Sequence, residues 1–249
     1  MDDFYQAFAA GIVKSSGVMN CVQHLYVAQR CAPGARVVDV CCGRGLQVPL
    51  LYHHASHIGM YVGLDISEDN LREATQRDLA LRDLHGEKFP TGYVQCDVSQ
   101  PWPVAALAAD VIVYTAALEH LPRAQGVASL RHAADALAAG GVLYLSTPIT
   151  PGPDPKLLQY GVHVYEWDDL ELREVLADCG LEIVEEIGLL PPAADSVVAG
   201  LDQRFGPGAG AWWNRLRALV PAAMLDVVTA AALPDLAAEV MFVCRRRHP

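Results

Sequence analysis

The chain has 249 residues and a net charge of −11, with 29 acidic side chains against 18 basic ones. That balance disfavours a nucleic-acid partner, because phosphate binding is carried by Lys and Arg. Hydrophobic residues make up 52% and charged residues 19%, which excludes a disordered chain and allows a sizeable core without disulfides.

The seven cysteines, at 21, 31, 41, 42, 96, 179 and 244, include no Cys-x-x-Cys pair, so neither a zinc knuckle nor a disulfide framework is indicated. The Met1-Asp2-Asp3 start is acidic where a signal peptide is basic. The apolar run from Leu219 to Leu233 is broken by Pro221 and Asp226, well short of the ~18 uninterrupted residues of a membrane span. These features predict a soluble, cytoplasmic chain without a membrane partner. Arg245-Arg246-Arg247 reads as a solvated tail after a last strand.

In chain order, residues 1–31 read as a helical leader with a break at Ser15-Ser16-Gly17. Phe4, Tyr5, Phe8, Val13 and Val18 supply its apolar face, and Tyr5 and Tyr26 are candidate lid residues. Next comes Ala35-Arg-Val-Val-Asp39-Val-Cys41-Cys42-Gly43-Arg-Gly45-Leu-Gln47. A β-branched run turns into a glycine-bearing loop that opens a helix. Gly43 and Gly45 permit positive φ and close approach to a ligand, and amides at the helix start attract anionic groups. A dinucleotide site wants G-x-G-x-x-G, but Val48 stands at the third glycine. Asp39 at the strand end suits a ligand carrying a positive amino group.

Met60 to Asp65 reads as a second strand ending in an acid, 20 residues beyond Gly45, where a carboxylate can accept both ribose hydroxyls. Ile66 follows it, and Ser67 is a plausible N-cap for a helix to about Leu84, with Leu71 and Ala74 facing inward. Gly92 to Asp97 is a third strand ending in an acid, followed by Val98; Asp110 to Thr115 is a fourth, apolar and central. Ala116-Ala-Leu-Glu119-His120-Leu-Pro leads into a helix over Arg123–Ala139, which Gly140-Gly141 should stop. Val142–Ser146 is the fifth strand. A Pro/Gly-rich loop over 149–167 carries His163-Val-Tyr-Glu166-Trp167. Asp168 or Asp169 caps a helix ended by Gly180, and Leu181–Ile187 is the sixth strand. The alternation implies a doubly wound, Rossmann-like α/β sheet.

The Asp39-Val-Cys-Cys-Gly43-Arg-Gly45 run resembles the first motif of class I S-adenosylmethionine-dependent methyltransferases of the small-molecule type, with Cys41 where the family usually has glycine. The later acids and the Leu118-Glu-His-Leu121 run are similar to that family as well, and the resemblance covers roughly 35–188 plus the last strand. It implies a seven-stranded sheet whose last strand, Ala238–Cys244, is antiparallel and inserted beside the fifth. Residues 189–237, with Trp212-Trp213, then form a helical insertion, either a substrate lid or a dimer contact in a monomer or homodimer. The resemblance also implies cofactor contacts at Asp39, Cys41, Gly43, Gly45, Asp65, Ile66, Asp97, Val98 and Thr115, with Asp97 at the adenine amine and Val98 on the ring. The expected reaction is methyl transfer to a hydroxyl or amine of a small molecule, of the kind found in bacterial secondary metabolism.

His120 and His163 each follow a strand's carboxyl end, where open α/β sheets bind ligands, and are the candidate general bases. Glu119-His120 and His163 also resemble part of the metal site of ubiquinone-type O-methyltransferases and small-RNA 2′-O-methyltransferases, with Ala116 in place of one glutamate. A divalent metal is therefore a second expectation, and a nicotinamide-dependent oxidoreductase or a non-catalytic partner subunit are the other readings.

Overall fold

The computed structural model describes residues 2–104, 107–152 and 155–247, with the side chains of 2–4 outside that description. The expected Phe4 contribution to the leader's apolar face therefore lies outside the described residues, as do Met1 and the side chains of Asp2 and Asp3. By contact density the chain divides into a unit of residues 1–23 and 186–240 and a larger unit of 24–185 and 241–249.

Seven strands form one sheet among the described residues: β1 (Arg36–Val40), β2 (Met60–Asp65), β3 (Thr91–Gln95), β4 (Ala109–Thr115), β5 (Leu137–Pro148), β6 (Leu181–Leu190) and β7 (Glu239–Arg246). Their order is β3-β2-β1-β4-β5-β7-β6, with β7 antiparallel, as the family resemblance implies. β1 pairs in parallel with β2 and β4, with Asp39 opposite Gly63 and Val113. The reversal of strand order between β1 and β4 is the switch point at which doubly wound sheets bind ligands. β1 and β4 are central and read as near-continuous β-branched runs, because both faces are covered. β6 lies at an edge and carries three exposed acids, Glu182, Glu185 and Glu186. Charges on an edge oppose pairing with another chain.

In the larger unit the helices are the C-terminal part of α2 (Ser15–Ala28), α3 (Gln47–His54), α4 (Glu68–His85), α5 (Arg123–Ala136) and α6 (Asp169–Asp178). Ser67 caps α4 by accepting from the Asn70 amide at 3.3 Å, and Asp168 caps α6 by accepting from the Leu170 amide at 3.0 Å. Each cap satisfies one of the first-turn donors. Tyr61, Tyr114, Trp167, Leu118 and Leu145 are fully buried in this core.

The smaller unit holds α1 (Asp2–Ala9), the start of α2, and α7 (Ala194–Phe205), α8 (Ala209–Arg217) and α9 (Ala222–Ala232). The segment read as a helical insertion is thus helical. Its core is Val197, Leu201, Trp213, Leu225 and Leu233.

Three local expectations differ from the structure. The leader's break falls at residues 10–14, and Ser15 starts α2 instead of interrupting a helix. α5 ends at Ala136, because Leu137 is already extended and pairs with Ala109. Gly140 and Gly141 therefore lie inside β5; Gly140 has φ +80°, and a Cβ on Gly141 would sit 2.7 Å from the Ala109 carbonyl oxygen. They serve a register irregularity, not a helix stop. β3 ends at Gln95, so Asp97 sits two residues past it. The arginine tail is exposed, but it is tied back: the Arg246 guanidinium donates to the Ala134 carbonyl and the Arg247 amide to Gly180.

Candidate functional site

The loop after β1 makes its turn with three left-handed residues: Cys41 at φ 56°, Gly43 at φ 53° and Gly45 at φ 72°. Gly45 is doubly constrained, since a Cβ there would also lie 3.1 Å from the Cβ of Ala74 on α4. Cys41 pays for its left-handed backbone with strain that glycine would not carry, on the order of 1–2 kcal/mol. The loop amides are partly internal: Gly43 N–H donates to Asp65 Oδ2 at 2.9 Å and Gly45 N–H to the Cys42 carbonyl at 3.0 Å. Those two donors fix the loop internally, the first of them against the tip of β2.

The acids at the tips of β1 and β2 share one region. Asp39 is 5% exposed and accepts from the Tyr61 hydroxyl at 2.7 Å. Burial pushes its carboxyl up to about 7, the hydrogen bond from Tyr61 opposes this, and the neighbouring charge of Asp65 adds to it. Asp65 is equally buried, and its second oxygen accepts from the Ser67 amide at 2.8 Å and from Asn70 Nδ2 at 3.2 Å. With three donors on about four lone pairs, the Asp65 carboxylate is held in one orientation. Cys41 lies within the field of both acids; burial first, then Asp65 and Asp39, pushes its thiol up to about 12, so it stays protonated.

The remaining expected cofactor contacts are placed as follows. Ile66 is 66% exposed beside Asp65, a large apolar side chain open to cover by a ligand. Asp97 is exposed, and its Oδ1 accepts from the Ser99 amide and hydroxyl at 3.0 and 2.7 Å. Val98 is only 4% exposed, so it offers little surface to a bound base. Thr115, at the tip of β4, has its hydroxyl 3.3 Å from His24 Nε2.

His24 and Gln47 were not among the residues read from the sequence. Burial lowers His24 to about 4, so its ring is neutral, and its carbonyl accepts from Gln47 Nε2 at 3.1 Å. Gln47 is 1% exposed, and its Oε1 has no hydrogen-bond partner among the described residues. A buried acceptor at the start of α3 without a donor favours a bound group that supplies one. No local pattern distinguishes His24 from other helical histidines; only the packing of α2 against the sheet reveals it. Tyr26 is a packing residue, stacked under the Arg30 guanidinium and edge-on to Tyr144, and Tyr5 is exposed.

The second cluster lies past β4 and β5. Leu118–His120 forms a 3-10 turn, and the 149–167 loop folds back onto it. The amides of Val164 and Tyr165 donate to the Glu119 carbonyl at 2.8 and 3.1 Å, and the Thr150 amide donates to Trp167. This brings His163 next to His120, ring centroids 5.2 Å apart and nearly perpendicular. One ligating atom from each of Glu119, His120 and His163 lies within 4.8 Å of the others.

His163 Nδ1 is 2.5 Å from Glu166 Oε1, with side-chain exposures of 7% and 0%. Glu166 is also held by the Thr150 hydroxyl and by the Gln159 amide at 2.8 and 2.9 Å. Burial alone would raise its carboxyl, but these donors and His163 outweigh that and hold it below the usual range. An ionised acceptor fixes the proton on Nδ1 and leaves Nε2 for other work. The His120 Nδ1 contact is a carbonyl, Val162 O at 3.3 Å, which can only accept; the proton again sits on Nδ1 and the Nε2 lone pair is presented. Glu119 differs from Glu166: its carboxyl is 2% exposed and is raised by burial despite a hydrogen bond from Thr147 at 3.1 Å.

Ala116, at φ 49°, supplies no ligand, and its amide donates to Ser146. Glu119, His120 and His163 still form a two-histidine, one-carboxylate set of the kind that holds a divalent metal with open positions. The carboxylate behind His163 is the outer partner that such ligands usually have.

Among known proteins, the curated mRNA cap guanine-N(7) methyltransferase of Eremothecium gossypii is 32% identical over 73 residues, 29% of this chain and 16% of that protein's length. The chain therefore matches only a small part of that relative. Small RNA methyltransferase HEN1 superposes with TM-score 0.62 and 14% identity over 95% of this chain and 26% of HEN1. Burkholderia thailandensis 1,6-didemethyltoxoflavin-N1-methyltransferase, solved with 1,6-didemethyltoxoflavin and S-adenosylhomocysteine, superposes with TM-score 0.57 and 17% identity over 99% of this chain and 87% of that one. A family model described as a methyltransferase domain matches residues 20–186. With that match over the loop, the strand tips and the histidine cluster, this chain belongs to the methyltransferase domain family, and its sheet has the Rossmann-like fold of the methyltransferases on which it superposes.

Proposed function

We propose that this methyltransferase acts on a hydroxyl or amine of a small molecule, of the kind found in bacterial secondary metabolism, with His163 accepting the proton when the acceptor is a neutral hydroxyl. The observation that carries this reading is the buried His163–Glu166 pair at 2.5 Å, set beside His120 at the carboxyl end of the sheet. S-adenosylmethionine brings a methyl already activated on a sulfonium. Asp39, Cys41, Gly43, Gly45, Asp65, Ile66, Asp97 and Thr115 are the residues we assign to hold it, without the buried Val98, and the buried, unpartnered Gln47 Oε1 supports a donor-bearing ligand there. Holding the acceptor in line contributes roughly 7–11 kcal/mol. A positioned base adds about 10²–10⁴-fold, which matters for a neutral hydroxyl more than for an amine.

The small-molecule reading draws support from the charge of −11, which opposes an RNA backbone, and from the N-methyltransferase neighbour solved with a small acceptor. The second reading is metal-assisted O-methylation, favoured by the 4.8 Å grouping of Glu119, His120 and His163. Those three residues would hold the ion, whose chemistry is to polarise an acceptor oxygen. Elemental analysis of the purified protein, with turnover measured before and after EDTA, separates the two. Turnover that survives chelation but falls about 10²–10⁴-fold in His163→Ala, with S-adenosylhomocysteine affinity unchanged, supports the base. Stoichiometric metal and loss of turnover on chelation replace it with the metal reading.

A further inference from the structure

The helical unit of α7, α8 and α9 encloses a cavity of about 410 Å³ that the methyl-transfer reading does not use. Its walls come from all three helices, including Phe205, Trp212, Leu216, Val228 and Ala232. Two wall groups able to hydrogen-bond are spent on the protein: Trp213 Nε1 donates to Thr229 Oγ1 at 2.8 Å, and that hydroxyl donates to the Leu225 carbonyl at 2.8 Å. An apolar lining of this kind suits an apolar guest, and the volume falls in the range of small-ligand sites.

The cavity is also open. Phe205, Trp212 and Val228 line it while remaining 64%, 55% and 66% exposed. Large apolar side chains exposed together, not singly, mark a binding surface. Three arginines, 204, 215 and 217, stand beside the cavity-lining residues, and the nearby acids are engaged within the protein: Asp202 accepts from the Gly208 and Gly210 amides and Asp226 from the Ser15 hydroxyl. Arg204 pairs with Asp235 at 2.7 Å. The Arg217 guanidinium lies over the Trp213 ring at 4.9 Å. Arg215 is exposed, three residues after Trp212 on α8 and hence its neighbour on the helix surface.

We propose that this unit binds a single-chain anionic amphiphile, with its alkyl chain in the cavity beside Phe205, Trp212 and Val228 and its anionic head on Arg215 and Arg217. Hydrocarbon walls exclude a polar guest, and the Arg215 and Arg217 guanidinium groups select an anionic head over a cationic one.

The test is calorimetric titration of the full chain with octanoate, decanoate and dodecanoate below their micelle concentrations. Affinity should rise about fourfold per methylene until the cavity is full, the factor expected for burying one CH₂. Dodecyltrimethylammonium, of equal chain length, should bind at least about tenfold more weakly, since it meets two like charges. Arg215→Gln with Arg217→Gln should weaken dodecanoate but not dodecanol. Ala232→Phe, which fills the cavity, should abolish the chain-length dependence. Val228→Glu, at an exposed position that cannot upset the core, should do the same if Ala232→Phe proves unstable. S-adenosylhomocysteine affinity should be unchanged in all variants. Affinity that does not depend on chain length or head charge overturns the proposal. So does binding to vesicles of phosphatidylglycerol and phosphatidylcholine without binding of monomeric dodecanoate, which would make the face a membrane-docking surface instead.

Discussion

Replacing Glu166 by Gln tests the His163 assignment most directly, because it changes charge and hydrogen bonding while keeping the shape. The carboxylate accepts from His163 Nδ1, the Thr150 hydroxyl and the Gln159 amide, with zero side-chain exposure. A glutamine offers one acceptor oxygen and an NH₂ in place of two acceptor oxygens, so it strands about one buried donor and forfeits a charge-assisted bond. The first costs about 1–3 kcal/mol and the second about 1.5–3 kcal/mol, giving a loss of roughly 2.5–6 kcal/mol. At about 2–4 °C per kcal/mol for a chain of this size, the melting temperature should fall by roughly 5–24 °C. Turnover should fall about 10²–10⁴-fold, since Nδ1 loses the anion that sets its tautomer and stabilises its protonated form. The assay is kcat and KM for methyl transfer beside thermal unfolding, in a double-mutant cycle with His163→Ala. If Glu166 works through His163, the change should still destabilise the His163→Ala protein but cost it no further turnover. Equal turnover losses in both backgrounds, or a melting shift with turnover within about twofold of wild type, would refute the reasoning and leave Glu166 as a loop anchor.

Three further outcomes are expected. Asp65→Ala should abolish measurable S-adenosylhomocysteine binding by calorimetry, because it removes the proposed ribose acceptor and frees the Gly43 and Ser67 amides that it now holds; wild-type affinity in the variant would remove the ribose role. The Asp39 carboxyl is raised by burial to about 7, so its protonated form favours the folded state. That contribution is fully present below the ordinary carboxylate value and is lost as pH rises toward 7, while affinity for a cationic amino group should rise over the same window; Asp39→Asn should flatten both profiles in urea unfolding and calorimetry. Cys41→Gly should relieve left-handed strain of about 1–2 kcal/mol against the roughly 0.5–1 kcal/mol of added chain entropy that glycine loses on folding. The net is a gain of up to about 1.5 kcal/mol with cofactor affinity intact, and a drop in melting temperature would give the sulfur a packing role instead.

What the sequence determined by itself is the part written in local patterns. Val37 to Val40 running into Cys41-Cys42-Gly43-Arg-Gly45 is a strand, a tight turn and a helix start whatever surrounds it, because the apolar period and the glycine conformations are local. The acids at 39 and 65 and the cap at Ser67 followed from the same grammar, and β7 landed between β5 and β6 as the family resemblance implied. The tertiary structure decided what depends on distant partners. Gly140-Gly141 looks like a helix stop until the pairing of Leu137 with Ala109 draws it into β5. His24 matters only because α2 packs beside Thr115, 91 residues away. The resemblance alone grouped His163 with Glu119 and His120; their union is made by backbone bonds from Val164 and Tyr165 to the Glu119 carbonyl, contacts that span more than 40 residues and that no local pattern encodes. Periodicity and capping are short-range and can be read along the chain. The choice of which carboxylate ionises, which imidazole nitrogen holds the proton and which cavity opens is set by burial and neighbours, and those exist only once the chain has folded.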